Sequence, residues 1–526
     1  MSCSFDGVGV GPGSLARCTI LERDRLAGPG ADAGVPERHT DPSRLAGPTR
    51  GSHPSPLRHP VDVGRPRRVA DLVLVAVKHN LPAVYPPGGP LGGRARDLGD
   101  HMTDTSTRPE PIRLTDLAEP RFSPEAQAII DATSGFADAV ELDAGVLMGQ
   151  AVAATGLDDF GAMDFVPRLE LLLWCYEHEA DLSPMGRVGA AAAVGQLLRN
   201  RLALTDLLAR HPEIHDVGIV APIVIAGLPR TGTTHLHNLL SADPRLRSMP
   251  YWESLEPVPS PAEAALAGTD ADPRILRTDG SMAVMDVLMP EFKRMHEMTT
   301  WHVHEEIQLL AIDFSTMLFE TVAPMPTWRD AYLAQDQTPH YEYMKTVLKA
   351  MQWQRGGERW VLKSPQHLEQ FGPLIRTFPD ATVLVTHRDP VSVMVSMSTM
   401  VSYSARGSHS PVDPVAISAY WGDRLETMLG AAERDRDLLP AAQSMDILFG
   451  DFMADDLGTV RRIYELADQP LDEGSLAAIR GYIDGHQRER HGKVVYEPDV
   501  LGLDLAARRR AMRTYTERFA VPDEPW

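Results

Sequence analysis

Short apolar runs, each closed by a polar turn and followed by helical spacing, dominate the second half of the chain. "PIVIAG" at 222–227 leads into "TTHLHNLLSADP", "RWVLKSP" at 359–365 into "HLEQFGPLIRTFP", and "ATVLVTHRDP" at 381–390 into "VSVMVSMSTMV". Runs that are apolar throughout, rather than at every second position, suit strands buried on both faces. Strands separated by helices suit parallel pairing, so the pattern predicts an α/β fold with a central parallel sheet covered by helices on both faces. Upstream, from residue 124 to about 208, apolar residues recur at three- and four-residue spacing. "SPEAQAIIDATSGF" opens with Ser123 as N-cap and Pro124 at the first helical position. "DFVPRLELLLWCYEHEA" and "RVGAAAAVGQLLRNRLALTDLLARH" keep the helical period until His211 and Pro212 end it. No internal repeat is visible.

The first 101 residues read differently. They hold 15 Gly and 13 Pro, with Arg and Ser interspersed and no persistent apolar period. Such a segment cannot bury enough apolar surface to offset its ordering entropy, so disorder is expected. "HMTDTSTRPEPIRL" puts Met102 just before the regular text, which makes 1–101 a candidate over-extended start. The expected organisation is a leader over 1–101, a helical region over 102–215 and an α/β domain over 216–526.

Charge narrows the partners. The formal net charge is −21, made of +3 over residues 1–101 and −24 over the remaining 425. An acidic body is a poor general partner for nucleic acid or polyanionic polysaccharide, yet it leaves room for one small anion in a local basic pocket. No run approaches the roughly 18 apolar residues of a membrane span. The early candidate "VADLVLVAV" is short and carries Asp71. No secretory signal pattern opens the chain, and Cys175 is the sole cysteine beyond the first twenty residues, so no disulfide framework is expected. The expected location is the cytoplasm, without a transmembrane segment.

Two segments carry chemistry. In "GLPRTGTTH" at 227–235, Gly227 and Gly232 have the spacing of a G-x-x-x-x-G-K-[ST] phosphate loop, but Thr233 stands in place of the lysine. A strand, a Gly-containing turn and a helix start form an anion site, because the first helical N–H groups point outward and the helix dipole favours negative charge. The glycines allow close backbone approach, Thr231, Thr233 and Thr234 add hydroxyl donors, and Arg230 adds a forked cation. An ordinary strand-to-helix turn can also use Gly and Thr. In "VLVTHRDPVSVMVSM", Arg388 ends a strand, Pro390 starts a helix, and Ser392 and Ser396 lie four apart on one face. A phosphate paired with Arg388 fits this segment, and so does a structural pair between Arg388 and Asp389.

Together the two segments resemble the 5′-phosphosulfate loop and the 3′-phosphate segment of sulfotransferases that use 3′-phosphoadenosine 5′-phosphosulfate (PAPS). The loop with Arg before hydroxyl-Gly-Thr-Thr is similar to that of tyrosylprotein sulfotransferases and many bacterial relatives. "TGLDDFGAMDF" (155–165), "NRL" (200–202), "HPEI" (211–214), "WESLEPVP" (252–259), "LKSPQHLEQF" (362–371) and "ERHGKVVYEP" (489–498) look like the bacterial subgroup, and the resemblance covers most of 115–520. It implies a P-loop-like three-layer sandwich and PAPS as sulfuryl donor, leaving as 3′-phosphoadenosine 5′-phosphate, with no metal. Its donor has no γ-phosphate, so the missing lysine has nothing to reach.

The resemblance also assigns residues. Gly227, Arg230, Thr231, Gly232, Thr233, Thr234, Arg388 and Ser396 match donor contacts, and Arg490, His491 and Lys493 are candidates from the His-Gly-basic loop. Arg230 and Lys363 match the catalytic cations. The acceptor needs a base. Glu253 resembles the glutamate of the tyrosylprotein group, while His302, His304, Glu305 and Glu306 in "MHEMTTWHVHEEIQLL" crowd an expected helix start, with His304 or Glu306 as rival bases. His367 and His387 are expected to orient neighbours. The helical region and the loop at 402–414 are expected to roof the site of a small or lipid-like acceptor carrying a hydroxyl or amine. A P-loop kinase or NTPase would require Lys at 233 and a Mg²⁺-binding acid; a non-catalytic nucleotide-binding relative would keep the loops alone.

Overall fold

The computed structural model describes residues 109–525; the leader expected at 1–101 and the start at Met102 lie outside the described residues. A two-residue strand, β1 (Ile112–Arg113), precedes four helices: α1 (Pro124–Ser134), α2 (Ala144–Thr155), α3 (Val166–His178) and α4 (Pro184–Arg210). The Ser123 hydroxyl caps α1 by accepting from the Ala126 N–H at 3.1 Å. At the other end of the helical stretch His211, with φ −133°, leaves the helical region, as the residue before a proline is driven to do.

Strands β2 (Ile223–Gly227), β3 (Leu246–Arg247), β4 (Arg359–Ser364), β5 (Thr382–His387) and β6 (Ser444–Leu448) form one sheet in the order β3-β4-β2-β5-β6. All four neighbouring pairs are parallel. β7 (Val494–Val495) pairs with β1 in a separate parallel ribbon. Side chains of β2 alternate between two cores. Ile223 and Ile225 join Val361, Leu384 and Ile447 against Leu236, Leu239 and Leu240 of α5 (Thr233–Ser241). Val224 and Ala226 join Leu362, Val383 and Val385 in the core that also holds Leu169 and Leu172 of α3 and Leu198 and Leu202 of α4. Burial on both faces is why the strands read as unbroken apolar runs. The leading helices therefore share the sheet's larger core.

Two expected helices differ. "HLEQFGPLIRTFP" splits into a 3₁₀ turn over Pro365–Glu369 and a helix over Phe371–Thr377, with Gln370 at φ −132° and ψ 32° between them. The buried His367 ring is held by the Tyr341 hydroxyl at 2.8 Å and the Glu306 carboxylate at 2.5 Å. These contacts fix the turn against the neighbouring elements. The segment "MHEMTTWHVHEEIQLL" is helical only over Ile307–Ala311. Its first part is an irregular strap, joined to Pro250 by an antiparallel bridge at Val303.

Past the sheet, α6 (Tyr251–Leu255), α7 (Pro390–Ser404) and α8 (Pro414–Asp435) complete the frame of the site. Arg424 of α8 is fully buried between two carboxylates. Its Nη1 and Nη2 each donate to Glu369 at 2.6 Å, and its Nε donates to Glu320 at 2.9 Å. The cluster locks α8 to the turn that follows β4.

Candidate functional site

The loop between β2 and α5 is shaped by what Gly227 lacks. A Cβ on Gly227 would stand 1.9 Å from Thr386 Oγ1, 2.9 Å from Thr233 Cγ2 and 3.0 Å from Thr231 Oγ1. Thr231 is turned inward, with its hydroxyl donating to the Leu228 carbonyl at 2.7 Å and meeting Thr386 Oγ1 at 2.6 Å. Gly232 caps α5 at φ 85°, a left-handed conformation that glycine adopts without strain. Arg230 is also left-handed, at φ 73°, which is uncommon for a residue with a side chain. Its carbonyl accepts from Arg388 Nη1 at 2.8 Å, its Nε donates to Ser396 Oγ at 3.0 Å, and its Nη1 donates to the Met295 carbonyl. The two segments singled out in the sequence thus meet through Arg230, Arg388 and Ser396.

This loop borders a cleft of about 750 Å³. Arg230, Lys293, Arg294, Arg388, Arg488 and Arg490 line it against Glu297 and Glu489, a strongly basic patch on an acidic chain. Gly232, Thr233, Thr234 and His491 line it as well. The first-turn N–H groups of α5 have no partners within the helix and complete the anion site. Arg388 lies over the Phe449 ring at 4.2 Å and is held by Glu524, whose carboxylate accepts from its Nε at 2.6 Å and its Nη2 at 2.8 Å. Trp301, 60% exposed, and the stacked rings of Tyr482 and His486 give the cleft flat walls. Lys493 is not among the lining residues; it is exposed and pairs with Glu489 at 2.8 Å.

A second cavity, of about 530 Å³, lies on the other side of the loop. Met285, Met298, Met317, Met397 and Met400 line it with Phe292, Trp421 and the small face of α4 formed by Gly186, Gly189, Ala190 and Ala193. Its polar end gathers His296, His304, Glu305 and Lys363, together with Gly227, Arg230, Thr233 and Thr234. Arg230, Thr233 and Thr234 therefore face both spaces. Gly407 and Ser408, from the loop expected to form a roof, also line the second cavity.

The base candidates separate by position. Glu253 of α6 is buried and ion-paired with Arg247 and Arg355, both at 2.7 Å, and it lines neither cavity. Glu306 is buried beneath β4, accepting the Lys363 backbone N–H at 2.8 Å and holding His367. Both carboxylates are committed to buried partners, and neither lines a cavity. His304 lines the second cavity beside Lys363, packs on Tyr251 at 4.5 Å between ring centroids, and has no hydrogen-bond partner on its buried Nδ1. Glu305 pairs with Lys363 Nζ. Sequence reasoning missed His296 and Glu297 within this strap, because the stretch looked like a helix start whose charges cap or solvate. It missed Glu524 as well, since no motif surrounds that residue.

Four histidines converge here. Burial pushes His237, His296 and His304 well below the ordinary imidazole range, and the Lys363 charge and neighbouring rings add to it. Burial and Lys363 lower His302 to about 4. Among the described residues no group of three or more His, Cys, Asp or Glu side chains could hold a metal ion, and no helix is long and apolar enough to cross a membrane.

A parallel sheet with a phosphate-type loop at the carboxyl end of its central strand, opening on a basic cleft, defines a class of anion-binding α/β proteins that transfer or bind phosphate-like groups. Comparison with known proteins gives the particular branch. The profile of the sulfotransferase family matches residues 222–473. Omega-hydroxy-beta-dihydromenaquinone-9 sulfotransferase Stf3 of Mycobacterium bovis is 24% identical over 283 residues, covering 50% of this chain and 67% of the relative; the Mycobacterium tuberculosis protein gives the same figures. The crystal structure of sulfotransferase STF1 from Mycobacterium tuberculosis is 29% identical, with a TM-score of 0.62 over 71% of this chain and 98% of that one. Sulfotransferase STF9 from Mycobacterium avium shares the fold, at 24% identity and a TM-score of 0.65 over 73% and 99%. Residues 222–473 thus match the sulfotransferase family, and the fold around them is that of the mycobacterial sulfotransferases.

The histidine cluster generates a pH prediction. A histidine whose folded pKa lies below its unfolded value of about 6.5 is protonated first in the unfolded chain, so stability falls on acidification below that value. For His302 the loss reaches roughly 3 kcal/mol near pH 4. Urea unfolding between pH 7 and pH 4 checks this: His302→Gln should flatten the pH slope, and an unchanged slope would sink the assignment.

Proposed function

We propose that this chain transfers the sulfuryl group of PAPS to a hydroxyl at one end of a lipid-like acceptor. One observation carries the reading: the basic cleft and the apolar cavity share Arg230, Thr233 and Thr234, so two ligands of opposite character meet at the same side chains. When bound, PAPS supplies an activated sulfuryl group that needs no metal for its transfer. The cleft residues fit such a donor. Six cations line the space, and Trp301 and Tyr482 offer ring faces to a base. Backbone N–H groups at the start of α5, with Arg230, stabilise charge gathering on the leaving oxygen. Arg388 belongs to the 3′-phosphate, with Arg490 and His491 beside it, and buried Ser396 acts through the Arg230 guanidinium it accepts from.

On the acceptor side, Lys363 stands at the end of β4 and faces the reacting group. His304 takes the acceptor proton. Burial first, then His302 and Lys363, keep its ring neutral at pH 7, which leaves a nitrogen lone pair free to accept. Methionines fill irregular space and adapt to a flexible chain, and the small face of α4 gives that chain a smooth floor. The Stf3 relative is named for a menaquinone-derived lipid alcohol, which supports the same acceptor class here.

Three tests follow from this reading. Calorimetry should show that 3′-phosphoadenosine 5′-phosphate binds, that Arg388→Ala loses at least tenfold in affinity, and that ATP·Mg²⁺ does not bind; saturable ATP·Mg²⁺ binding without bisphosphate binding would put a kinase or NTPase first. His304→Gln should lower kcat by about 10²-fold while bisphosphate affinity stays unchanged; a variant with full kcat would remove the base assignment. Gly189→Leu should raise the acceptor KM about tenfold by filling the cavity, since a Cβ at Gly189 meets nothing within 4 Å. The same change should not destabilise α4, where leucine is the better helix former, and an unaltered KM would place the acceptor elsewhere.

A further inference from the structure

The strap at 295–302 lays two of its own oxygen acceptors on cations of the basic cleft. The Met295 carbonyl accepts from Arg230. The Glu297 carboxylate pairs with Arg490 through one oxygen and with His491 Nε2 at 3.2 Å through the other. Glu297 itself lines the cleft, and its side chain is 35% exposed, so an incoming anion can reach the same donors. An acidic side chain inside an anion cleft opposes every anionic ligand unless it exchanges with it.

We infer that Glu297 is a built-in counter-ion that exchanges with the donor's 3′-phosphate on Arg490 and His491, lowering affinity for the bisphosphate product and speeding its release. This rests on the donor reading above and extends it to the end of the catalytic cycle. A phosphate brings more charge and more acceptor oxygens than a carboxylate, so it wins the exchange. The gain is smaller than on an unpaired arginine, because the internal pair is broken each time. On departure the carboxylate re-forms its pair without waiting for a solute, which favours dissociation. The strap also carries His296 and Met298, which line the acceptor cavity, and Trp301, which lines the cleft. Its movement is therefore felt on both sides of the phosphate loop.

The test compares the native chain with Glu297→Gln, measuring bisphosphate affinity by calorimetry and its dissociation by stopped-flow displacement. The variant should bind 3′-phosphoadenosine 5′-phosphate about three- to tenfold more tightly and release it correspondingly more slowly. Adenosine 5′-monophosphate, which lacks the 3′-phosphate, should gain nothing, a distinction that a general loosening of the strap would not produce. In an Arg490→Gln background the effect should shrink. Unchanged or weaker bisphosphate binding by Glu297→Gln overturns the counter-ion role alone, whereas no bisphosphate binding by the native chain overturns the donor reading and this inference together.

Discussion

The site rests on an atom that is missing, the Cβ of Gly227. At this point β2 and β5 run side by side, with Gly227 in register with Thr386. Thr386 fills the space above the glycine and meets Thr231 there. The hydroxyl pair fixes where the loop turns, and the turn sets where α5 begins. Steric exclusion thus does what a ligand-induced closure would otherwise have to do, holding the helix N-terminus toward the cleft before any anion arrives. Preorganisation of this kind is what electrostatic stabilisation of a transition state requires, because the dipoles need not reorient during the reaction.

From that turn Arg230 and Arg388 are tied in sequence. Left-handed Arg230 points its carbonyl toward Arg388 and its guanidinium toward Ser396 and the strap. A left-handed side-chain-bearing residue costs about 1–3 kcal/mol unless its surroundings hold it, and the Arg388 bond is one such restraint. Arg388 is steadied in turn by Phe449 and Glu524. The loop and the Arg-Asp-Pro segment are consequently one hydrogen-bonded unit, although they lie about 160 residues apart.

The sheet is legible in the sequence. Continuous apolar runs report burial on both strand faces, and this made the parallel sheet readable. Gly227 and Arg388 stood out because close backbone approach and strand-end cations leave local signatures. What stayed hidden depends on contacts distant in sequence. The commitment of Glu253 to Arg247 and Arg355 cannot be read from "YWESLEP", and Thr231 looked like an outward donor until Thr386 was seen beside it. The strap at 295–306 was misleading for a related reason: its acids and histidines suit a helix start, and only the bridge to Pro250 shows an irregular path.

Arg424, Glu320 and Glu369 carry a consequence for how this sequence can vary. Replacing Arg424 strands two buried carboxylates, at a cost of roughly 3–5 kcal/mol, whereas replacing all three residues with apolar ones of matching volume can be neutral or better. Drift that begins at Arg424 is blocked, so the arginine can leave only together with its carboxylates. Since the triad clamps α8 onto the turn after β4, the frame around Lys363 is sheltered from gradual change.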